Sequence, residues 1–349
     1  MNRRTQPKTV RLADIARSVG VSPSEVSRVL NGRVRDGKSV AQETRERILA
    51  AARELNYMPH RAAQNLASGR TDAVALMLLL DERRELYPHY HEIIGALTYT
   101  LNTYGIHLLL GQYGPDPLES LEHMARSRTC DGMIITDMKV DDERPALLDR
   151  IGTSFVVRGS SPRAGVVAVG MDNALVGFRS VSYLYSLGHR AIAFYNIGRD
   201  YMSGQRRFEG FCQARDDLGL QATVEYYDSF HQEEGMYQAV RARFLQPKPP
   251  TALFAEDELG AFGALRAISD MGLRCPDDVS VMTCLNARFM RLVNPHLTVL
   301  NVRQDEVAAE AGHLLARLLR GEEVERRQLF LQPLLEERGS VGTPRKHNL

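Results

Sequence analysis

The stretch that decides the fold lies near the amino terminus, where residues 12–31 read LADIARSVGVSPSEVSRVLN. Its first apolar residues recur at the spacing of a single helix face, namely Leu12, Ile15, Ala16 and Val19. Gly20 follows this pattern, and glycine is common directly after a helix because it adopts the left-handed backbone conformation without strain. The stretch therefore predicts a first helix that ends at Gly20.

A second helix is predicted from Ser22 onward. Ser22 and Glu25 have the spacing of a capping box, and Pro23 suits the first helical position. Its inward residues are Val26, Val29 and Leu30, and its outward ones are Ser24, Ser27, Arg28 and Asn31. A third helix is expected over Gln42–Asn56, with Ile48, Ala51, Ala52 and Leu55 inward. The tight connection at Gly20 favours a helix-turn-helix, which places its second helix in the major groove of DNA. The spacing alone also permits a generic small helical bundle.

Charge is distributed unevenly along the chain. Residues 1–70 carry 14 Lys and Arg against 6 Asp and Glu, whereas residues 71–349 carry 30 against 37. A basic head on a mildly acidic body indicates a module that binds a polyanion such as nucleic acid. The alternative at this level is a solvated basic arm.

The overall composition argues against several classes of protein. The 349 residues are 44% hydrophobic and 25% charged, which is typical of globular domains. The longest apolar run, Ala73–Leu80, is too short to span a membrane, and the amino terminus lacks the apolar core of a signal peptide. The four cysteines lie far apart without metal-binding spacing: Cys130, Cys212, Cys275 and Cys284. We therefore expect a cytoplasmic protein with no membrane segment and no metal.

From Thr71 onward, short apolar runs alternate with amphipathic helical stretches. The runs are Val74–Leu80, Ile106–Leu110, Met133–Ile135, Ser154–Val157, Ala191–Tyr195, Ala252–Phe254 and Val279–Met282. The helical stretches include Ala174–Leu187, Gly204–Leu218, Leu259–Met271 and Val307–Leu319. Near-continuous apolar strands between helices predict parallel sheets that are covered on both faces. Ligands of such folds bind beyond the carboxyl ends of the strands.

An enzymatic function is not favoured by the motifs of the body. The sequence has no GxGxxG, GxxxxGK[ST], GxSxG or HExxH. Acid–base pairs could be drawn from Asp81, His89, His91 and Asp257, but their spacing makes them no more than loop residues. We therefore expect neither catalysis nor a cofactor.

The head closely resembles the DNA-binding headpiece of LacI (lactose-repressor) family transcription regulators. The resemblance rests on residues 12–31, on Glu43-Thr-Arg-Glu-Arg-Ile and on Leu55-Asn-Tyr-Met-Pro-His-Arg-Ala-Ala-Gln-Asn-Leu66. It extends more loosely over the body through Met171-Asp-Asn, Leu187-Gly-His-Arg, Arg207-Phe-Glu-Gly-Phe211 and Gly272-Leu-Arg-Cys-Pro-Asp-Asp-Val-Ser280. It implies an all-α helix-turn-helix headpiece with a hinge helix, followed by a two-lobed α/β effector domain like the periplasmic binding proteins.

The resemblance also implies a division of the chain. The headpiece would span residues 1–58, the hinge helix and linker 59–70, and the effector-binding and dimerisation domain 71–338. We expect residues 339–349 to form a flexible tail. They carry no heptad pattern, so we do not expect a tetramer-forming coiled coil of the family type there.

The DNA-contacting residues implied by the resemblance lie on the second helix and in the hinge. Pro23, Ser24 and Arg28 match positions that face base edges, and a guanidinium can pair bidentately with guanine. Ser27 and Asn31 match positions that hold phosphates. Leu66 matches the leucine that is wedged between central base pairs, although it could also be a linker residue packed on the body.

The effector-binding residues implied by the resemblance are Tyr90, Arg158, Asp172, Arg207, Phe230 and Asp257. Ordinary packing is the alternative for the two aromatic residues. One departure from the family pattern stands at Leu285, in Met282-Thr-Cys-Leu-Asn286, where many members have a ligand-holding aspartate. A leucine cannot accept hydroxyl hydrogen bonds, so the ligand would be less hydroxylated on that side or absent.

These features together predict a homodimeric transcriptional regulator, most simply a repressor, that binds a near-palindromic double-stranded DNA operator. A small-molecule effector, sugar-like or a related metabolite, would control its affinity from between the lobes. The alternative is a DNA-binding regulator whose pocket is vestigial or takes a ligand that is not a sugar. A solute-binding or catalytic protein is disfavoured by the headpiece and by the missing signal peptide.

Overall fold

The computed structural model of the protein describes residues 10–30, 40–57, 69–79, 86–220, 223–226, 233–324 and 328–345, with only the backbone of 223–226. The chain divides into two compact units, Met1–Thr71 and Asp72–Leu349, which we call the head and the body.

The head contains three helices within its described residues. These are α1 (Leu12–Val19), α2 (Pro23–Leu30) and α3 (Gln42–Glu54). Their common core is formed by Ile15, Ala16, Val19, Val26, Ile48 and Ala52. Gly20 has φ of 74° and ends α1, as the sequence predicts. Helix α3 ends two residues earlier than predicted, and Asn56 just beyond it has a left-handed backbone with φ of 49°.

The body is built on two six-stranded sheets. The first has the order β11-β5-β4-β3-β1-β2 and is parallel throughout. Its strands are β1 (Ala73–Leu78), β2 (His107–Gln112), β3 (Gly132–Ile135), β4 (Ser154–Arg158), β5 (Ala168–Met171) and β11 (Gln328–Leu331). We call this half of the body the first lobe. Its strand β1, which lies between β3 and β2, is fully buried, as its continuous apolar run predicts.

The second sheet forms the second lobe and has the order β12-β10-β9-β8-β6-β7. Its strands are β6 (Ile192–Asn196), β7 (Thr223–Tyr226), β8 (Ala252–Ala255), β9 (Ser280–Thr283), β10 (Thr298–Asn301) and β12 (Leu334–Glu336). All pair in parallel except β12, which runs antiparallel to β10 at the edge.

Helices connect and cover the strands of both lobes. They are α4 (Tyr90–Thr103), α5 (Pro117–Arg126), α6 (Arg144–Ile151), α7 (Asn173–Ser186), α8 (Met202–Asp217), α9 (Glu233–Phe244), α10 (Glu258–Asp270) and α11 (Gln304–Leu319). A short 3₁₀ helix spans Arg288–Leu292. The alternation of strand and helix confirms the doubly wound α/β body predicted from the sequence.

The chain passes between the lobes three times. It leaves the first lobe after β5, and returns after β10 with α11 packed against α4 and the first sheet. Strand β11 then completes the first sheet and β12 the second. The backbone therefore links the lobes in one place, beside the carboxyl ends of several strands.

The expectation of a flexible tail from Gly339 is wrong for residues 339–345. Ser340 is completely buried: its backbone carbonyl accepts a hydrogen bond from the N–H of Val281 (2.9 Å), and its hydroxyl accepts one from the N–H of Thr298 (2.8 Å). The carbonyl of Gly342 pairs with the imidazole of His189 at 2.9 Å. These polar contacts fix the segment to the second lobe. The segment has no apolar periodicity, so the sequence gives no sign of this packing.

Within the described part of the chain, no helix combines the length and apolar character needed to cross a bilayer.

Candidate functional sites

The exposed side of α2 in the head is the candidate DNA-binding surface, and the capping box predicted at its start is present. The backbone N–H of Ser22 donates to a carboxylate oxygen of Glu25 (3.0 Å), and the N–H of Glu25 donates to the hydroxyl of Ser22 (3.2 Å). The backbone hydrogen bond from Ser22 is the main reason that the pKa of Glu25 lies below its ordinary value. The start of α2 is therefore fixed by its own side chains.

Four sequence-predicted residues share this side of α2, which we call the recognition face: Pro23, Ser24, Ser27 and Arg28. Pro23 and Ser24 are exposed, and Ser27 and Arg28 are partly exposed. The guanidinium of Arg28 forms no hydrogen bond with the residues that the structure describes, so its donors are available to a ligand. Asn31 and Leu66 lie outside the described residues.

The candidate ligand site of the body is a cavity of about 90 Å³. Its walls come from residues that follow the carboxyl ends of strands in both lobes, where ligands bind in doubly wound folds. The lining consists of His89, Asp137, Met138, Arg158, Gly159, Ser160, Gly170, Met171, Asn173, Ile197, Tyr201, Met202, Ser203, Arg207, Glu256, Leu285, Val302, Gln304 and Val307. Two of the predicted effector-binding residues, Arg158 and Arg207, are brought together here.

Arg207 is held in a buried ion pair. Its side chain contacts the carboxylate of Glu256, and its Nε donates to the side-chain oxygen of Asn173 (2.9 Å). Glu256 also accepts a hydrogen bond from the backbone N–H of Ile197 at 2.5 Å. Burial acts to lower the pKa of Arg207, but the charge and hydrogen bond of Glu256 oppose it and the pKa is raised. Arg207 is therefore a neutralised and firmly positioned cation.

Arg158, the last residue of β4, is in a different situation. The residue is only 8% exposed, and its Nε is buried without a hydrogen-bond partner among the described residues. Burial lowers the pKa of the guanidinium below its ordinary value, although the charge of Asp137 opposes this. Arg158 is therefore a desolvated cation beside the cavity.

Asp137 follows β3, and the negative charge of its carboxylate acts on Arg158. Its carboxylate accepts hydrogen bonds from the hydroxyls of Tyr90 and Thr136. Burial opposes its ionisation, but the charge of His89 and these two hydrogen bonds hold the pKa of the carboxyl below its ordinary value. The carboxylate is therefore already occupied by donors from the protein.

Three of the residues implied by the resemblance do not line the cavity. Asp172 and Asp257 are N-caps: their carboxylates accept from the backbone N–H groups of Leu175 (3.0 Å) and Gly260 (2.6 Å). Tyr90 is completely buried in the core and contacts Asp137 rather than the cavity. Phe230 lies outside the described residues.

Three of the lining residues that sequence reasoning missed lie next to residues that it chose. Asn173 and Glu256 adjoin Asp172 and Asp257, and His89 adjoins Tyr90. An aspartate just before a helix accepts hydrogen bonds from the unpaired N–H groups of the first turn. Its carboxylate is then occupied, and the neighbouring residue lines the cavity instead. The sequence signal for this is the position of each aspartate at a strand-to-helix junction.

One side of the cavity is apolar. Leu285 is 3% exposed and lines the cavity with Val302 and Val307. This agrees with the sequence argument that a ligand finds no hydroxyl acceptor at Leu285.

The lobes also meet directly at the rim of the cavity. The backbone N–H of Met202 donates to the carbonyl of Met138, and that of Val140 donates to the carbonyl of Asp200, both at 2.8 Å. The Lys139 ammonium lies 3.8 Å from the Asp200 carboxylate. These contacts join the loop after β3 to the loop after β6.

Known protein families match residues in both the head and the body. A model of the bacterial regulatory proteins of the lacI family matches residues 11–60, and a model of the periplasmic binding protein-like domain matches residues 181–341. The chain is 30% identical to the HTH-type transcriptional regulator CelR of Thermobifida fusca, over 97% of this chain and 100% of the relative. It is also 30% identical to the HTH-type transcriptional repressor PurR of Erwinia tasmaniensis, over 95% of this chain and 96% of the relative.

Two solved structures have the same fold over nearly the whole chain. A complex of the transcriptional regulator CelR with cellobiose is 28% identical, with a TM-score of 0.71, and the match covers 95% of this chain and 99% of that one. A lac repressor dimer bound to operator and the anti-inducer ONPF is 23% identical, with a TM-score of 0.83, over 96% and 100% of the two chains. The resemblance deduced from the headpiece motifs is therefore confirmed, and the chain belongs to the lacI family of bacterial regulatory proteins.

Proposed function

We propose that this DNA-binding regulator is a homodimeric repressor of the cytoplasm whose operator affinity is controlled by a small molecule bound in the cavity. The observation that carries the DNA-binding part is the recognition face, with its capped helix start and the available donors of Arg28. Two copies of such a face, related by two-fold symmetry, match the halves of a near-palindromic site.

The residues of the recognition face have different tasks in this proposal. Arg28 reads a guanine edge through its two parallel donors, and Pro23 and Ser24 contact neighbouring bases. Ser27 holds a phosphate, as does Asn31, and such contacts orient the helix without reading sequence. Leu66 enters the minor groove between central base pairs and bends the duplex.

A sugar or related metabolite is the proposed effector. The similarity to CelR, whose solved complex contains cellobiose, supports a sugar-like ligand. The polar groups in the lining, including Asn173, Ser203 and Gln304, can hydrogen-bond a hydroxylated compound. The ligand would act by binding one arrangement of the lobes more tightly than the other, because a ligand with equal affinity for both shifts nothing.

A regulator with a vestigial or non-sugar pocket is the second candidate. The buried Leu285 favours it, because it removes a hydroxyl acceptor from the lining. This candidate predicts the same operator binding as the first but no response to sugars.

The DNA-binding proposal is tested by selecting duplexes from a random library with the full-length protein. We expect a near-palindromic sequence, with each half-site alone bound more weakly. Affinities for the selected site and for random DNA are then compared between the wild type and Arg28→Ala. Loss of a bidentate guanine contact worth about 1–3 kcal/mol lowers the preference for the selected site roughly 5- to 150-fold.

The matched control is Arg53→Ala, which removes an exposed arginine from the last turn of α3. It is expected to leave the ratio of the two affinities unchanged. If Arg28→Ala weakens binding to both DNAs equally, Arg28 is a phosphate contact and the assigned base reading is wrong.

A further inference from the structure

The cavity is lined by a buried cation, Arg158, with which no described residue forms a side-chain hydrogen bond or an ion pair. The nitrogens of Arg158 donate no hydrogen bond to any described side chain or carbonyl, and no carboxylate oxygen of those residues lies within 4.0 Å of them. The residue is nevertheless more than nine-tenths buried. A buried charge is normally paired and hydrogen-bonded, because its desolvation is otherwise not compensated. The charge of Asp137 acts on Arg158, but no carboxylate of a described residue is in contact with its guanidinium, and a ligand can supply that contact.

The two carboxylates of the lining and the guanidinium of Arg207 are already in contact with partners inside the protein. Glu256 contacts Arg207 and neutralises it. The carboxylate of Asp137 accepts hydrogen bonds from the hydroxyls of Tyr90 and Thr136. The lining carries two carboxylates, two guanidinium groups and His89, whose charge acts on Asp137, and of the two guanidinium groups only Arg207 is in contact with a carboxylate of a described residue. A monoanion suits this arrangement, whereas a doubly charged phosphate would add a second negative charge near Asp137 and Glu256.

The remaining groups of the lining narrow the chemical class of the ligand further. Ser160, which lies two residues beyond Arg158, offers a hydroxyl, and Ser203 and Gln304 offer further polar groups. Leu285 and Val302 present an apolar surface. A neutral sugar could use the polar groups but would leave the Arg158 guanidinium facing uncharged oxygens. An apolar acid would leave the hydroxyl and amide groups unused.

We propose that the cavity binds a small hydroxylated carboxylic acid, of the aldonic or uronic acid class, whose carboxylate pairs with the guanidinium of Arg158. Its hydroxyl groups face the polar lining and its carbon skeleton lies toward Leu285. Arg207 holds the shape of the site through Glu256 and Asn173 and can supply one further donor. This inference rests on the proposed control of operator binding by a cavity ligand, of which it specifies the chemical class.

The test is a thermal-shift and calorimetric comparison on the full-length protein with matched probes. The sets are glucose, gluconate, glucuronate and glucose 6-phosphate, and galactose, galactonate, galacturonate and galactose 1-phosphate. We expect at least one carboxylate to raise the Tm and to bind at least tenfold more tightly than its neutral and phosphorylated counterparts, because only it supplies a monoanion to Arg158.

The same acids are then measured on two variants. Arg158→Gln keeps a hydrogen-bonding group but removes the charge, and it should weaken the acid at least tenfold and abolish its advantage over the neutral sugar. Arg163→Gln is the control, because Arg163 is an exposed arginine of the same lobe whose ion pair with Asp149 lies outside the lining. It should bind the acid as the wild type does.

The outcomes separate this inference from the function on which it rests. A neutral or phosphorylated sugar that binds more tightly than its acid overturns the inference and leaves a ligand-controlled regulator in place. Acid binding that Arg158→Gln leaves unchanged also overturns it, since the carboxylate then lies elsewhere. Failure of every acid in both sets overturns the assigned ligand class, whereas the proposed function fails only if operator binding responds to no compound.

Discussion

Arg158 and Arg207 are both buried and line the same cavity, but they differ in their contacts with carboxylates. Arg207 is 5% exposed and contacts Glu256, whereas Arg158 is 8% exposed and has no carboxylate in contact among the described residues. Breaking a buried ion pair strands the partner charge, but removing an unpaired buried cation relieves a desolvation cost. The same substitution should therefore act in opposite directions at the two sites.

We expect Arg158→Met to raise the free energy of unfolding of the ligand-free protein by about 1 kcal/mol. Arg207→Met should lower it by about 3 kcal/mol, because Glu256 is then left buried without its cation. Both values are measured by urea unfolding in the absence of ligands. A loss of stability in Arg158→Met would mean that the guanidinium is paired within the protein after all.

Asp137 should make stability depend on pH in the acid range. Its folded pKa lies below the ordinary value of 3.8, because burial is outweighed by His89 and by the hydroxyls of Thr136 and Tyr90. A lowered folded pKa gives a contribution that is complete above the unfolded pKa and disappears as the pH falls through the folded one.

The expected measurement is the difference in free energy of unfolding between the wild type and Asp137→Asn at a series of pH values. Within the acid range it should be largest near pH 5 and shrink progressively below about pH 4. A difference that stays the same throughout the acid range would contradict the lowered pKa.

At the level of the elements, the position of Arg207 depends on the close crossing of α7 and α8. A Cβ added at Gly210 would lie 1.8 Å from the backbone carbonyl oxygen of Ala174, and one at Gly177 would lie 2.0 Å from that of Arg207. Neither position therefore accepts a side chain unless the backbones separate. The glycine of the Arg207-Phe-Glu-Gly-Phe211 motif is thus explained by helix packing.

Gly210→Ala should lower the free energy of unfolding by about 1–3 kcal/mol, since overpacking forces the helix backbones apart. It should also weaken ligand binding, because α8 carries Arg207. Gly95→Ala is the control: Gly95 is an exposed residue of α4 with open space around its Cβ position, and alanine there should be neutral or stabilising by up to about 1 kcal/mol. Equal stability of the two variants would show that α7 and α8 can adjust at no cost.

The elements also show how far sequence reasoning reached. Several strands and helices of the body were predictable because their apolar runs report burial, as in β1 and α7, whereas the apolar run of β2 is largely exposed. The lining was less predictable, because Asp172 and Asn173 differ by one position and only the fold decides which of them faces the cavity. Charge alone could not distinguish a helix cap from a ligand contact.

At the level of the whole molecule, residues without periodicity were the hardest to place. The segment 339–345 has no apolar repeat, yet Ser340 pairs with strands β9 and β10 through backbone and hydroxyl groups. The several crossings between lobes were likewise implied by the family resemblance rather than by any local pattern. Such features depend on long-range polar contacts, which leave little trace in a single sequence.

Contacts between the lobes connect the cavity to the rest of the body. Met138, Tyr201 and Met202 line the cavity and also belong to the two loops joined at its rim. A ligand that fills the cavity therefore touches the residues that hold the lobes together. This is the physical basis on which we expect ligand binding and DNA binding to be coupled.

The most direct test is the affinity of the full-length protein for its selected operator, measured by fluorescence anisotropy with and without a saturating acid identified by thermal shift. We predict that the acid changes the Kd of the wild type at least fivefold, in the range typical of allosteric coupling, and leaves that of Arg158→Gln unchanged at the same concentration. An operator Kd that is identical with and without bound acid would contradict control of DNA binding from the cavity.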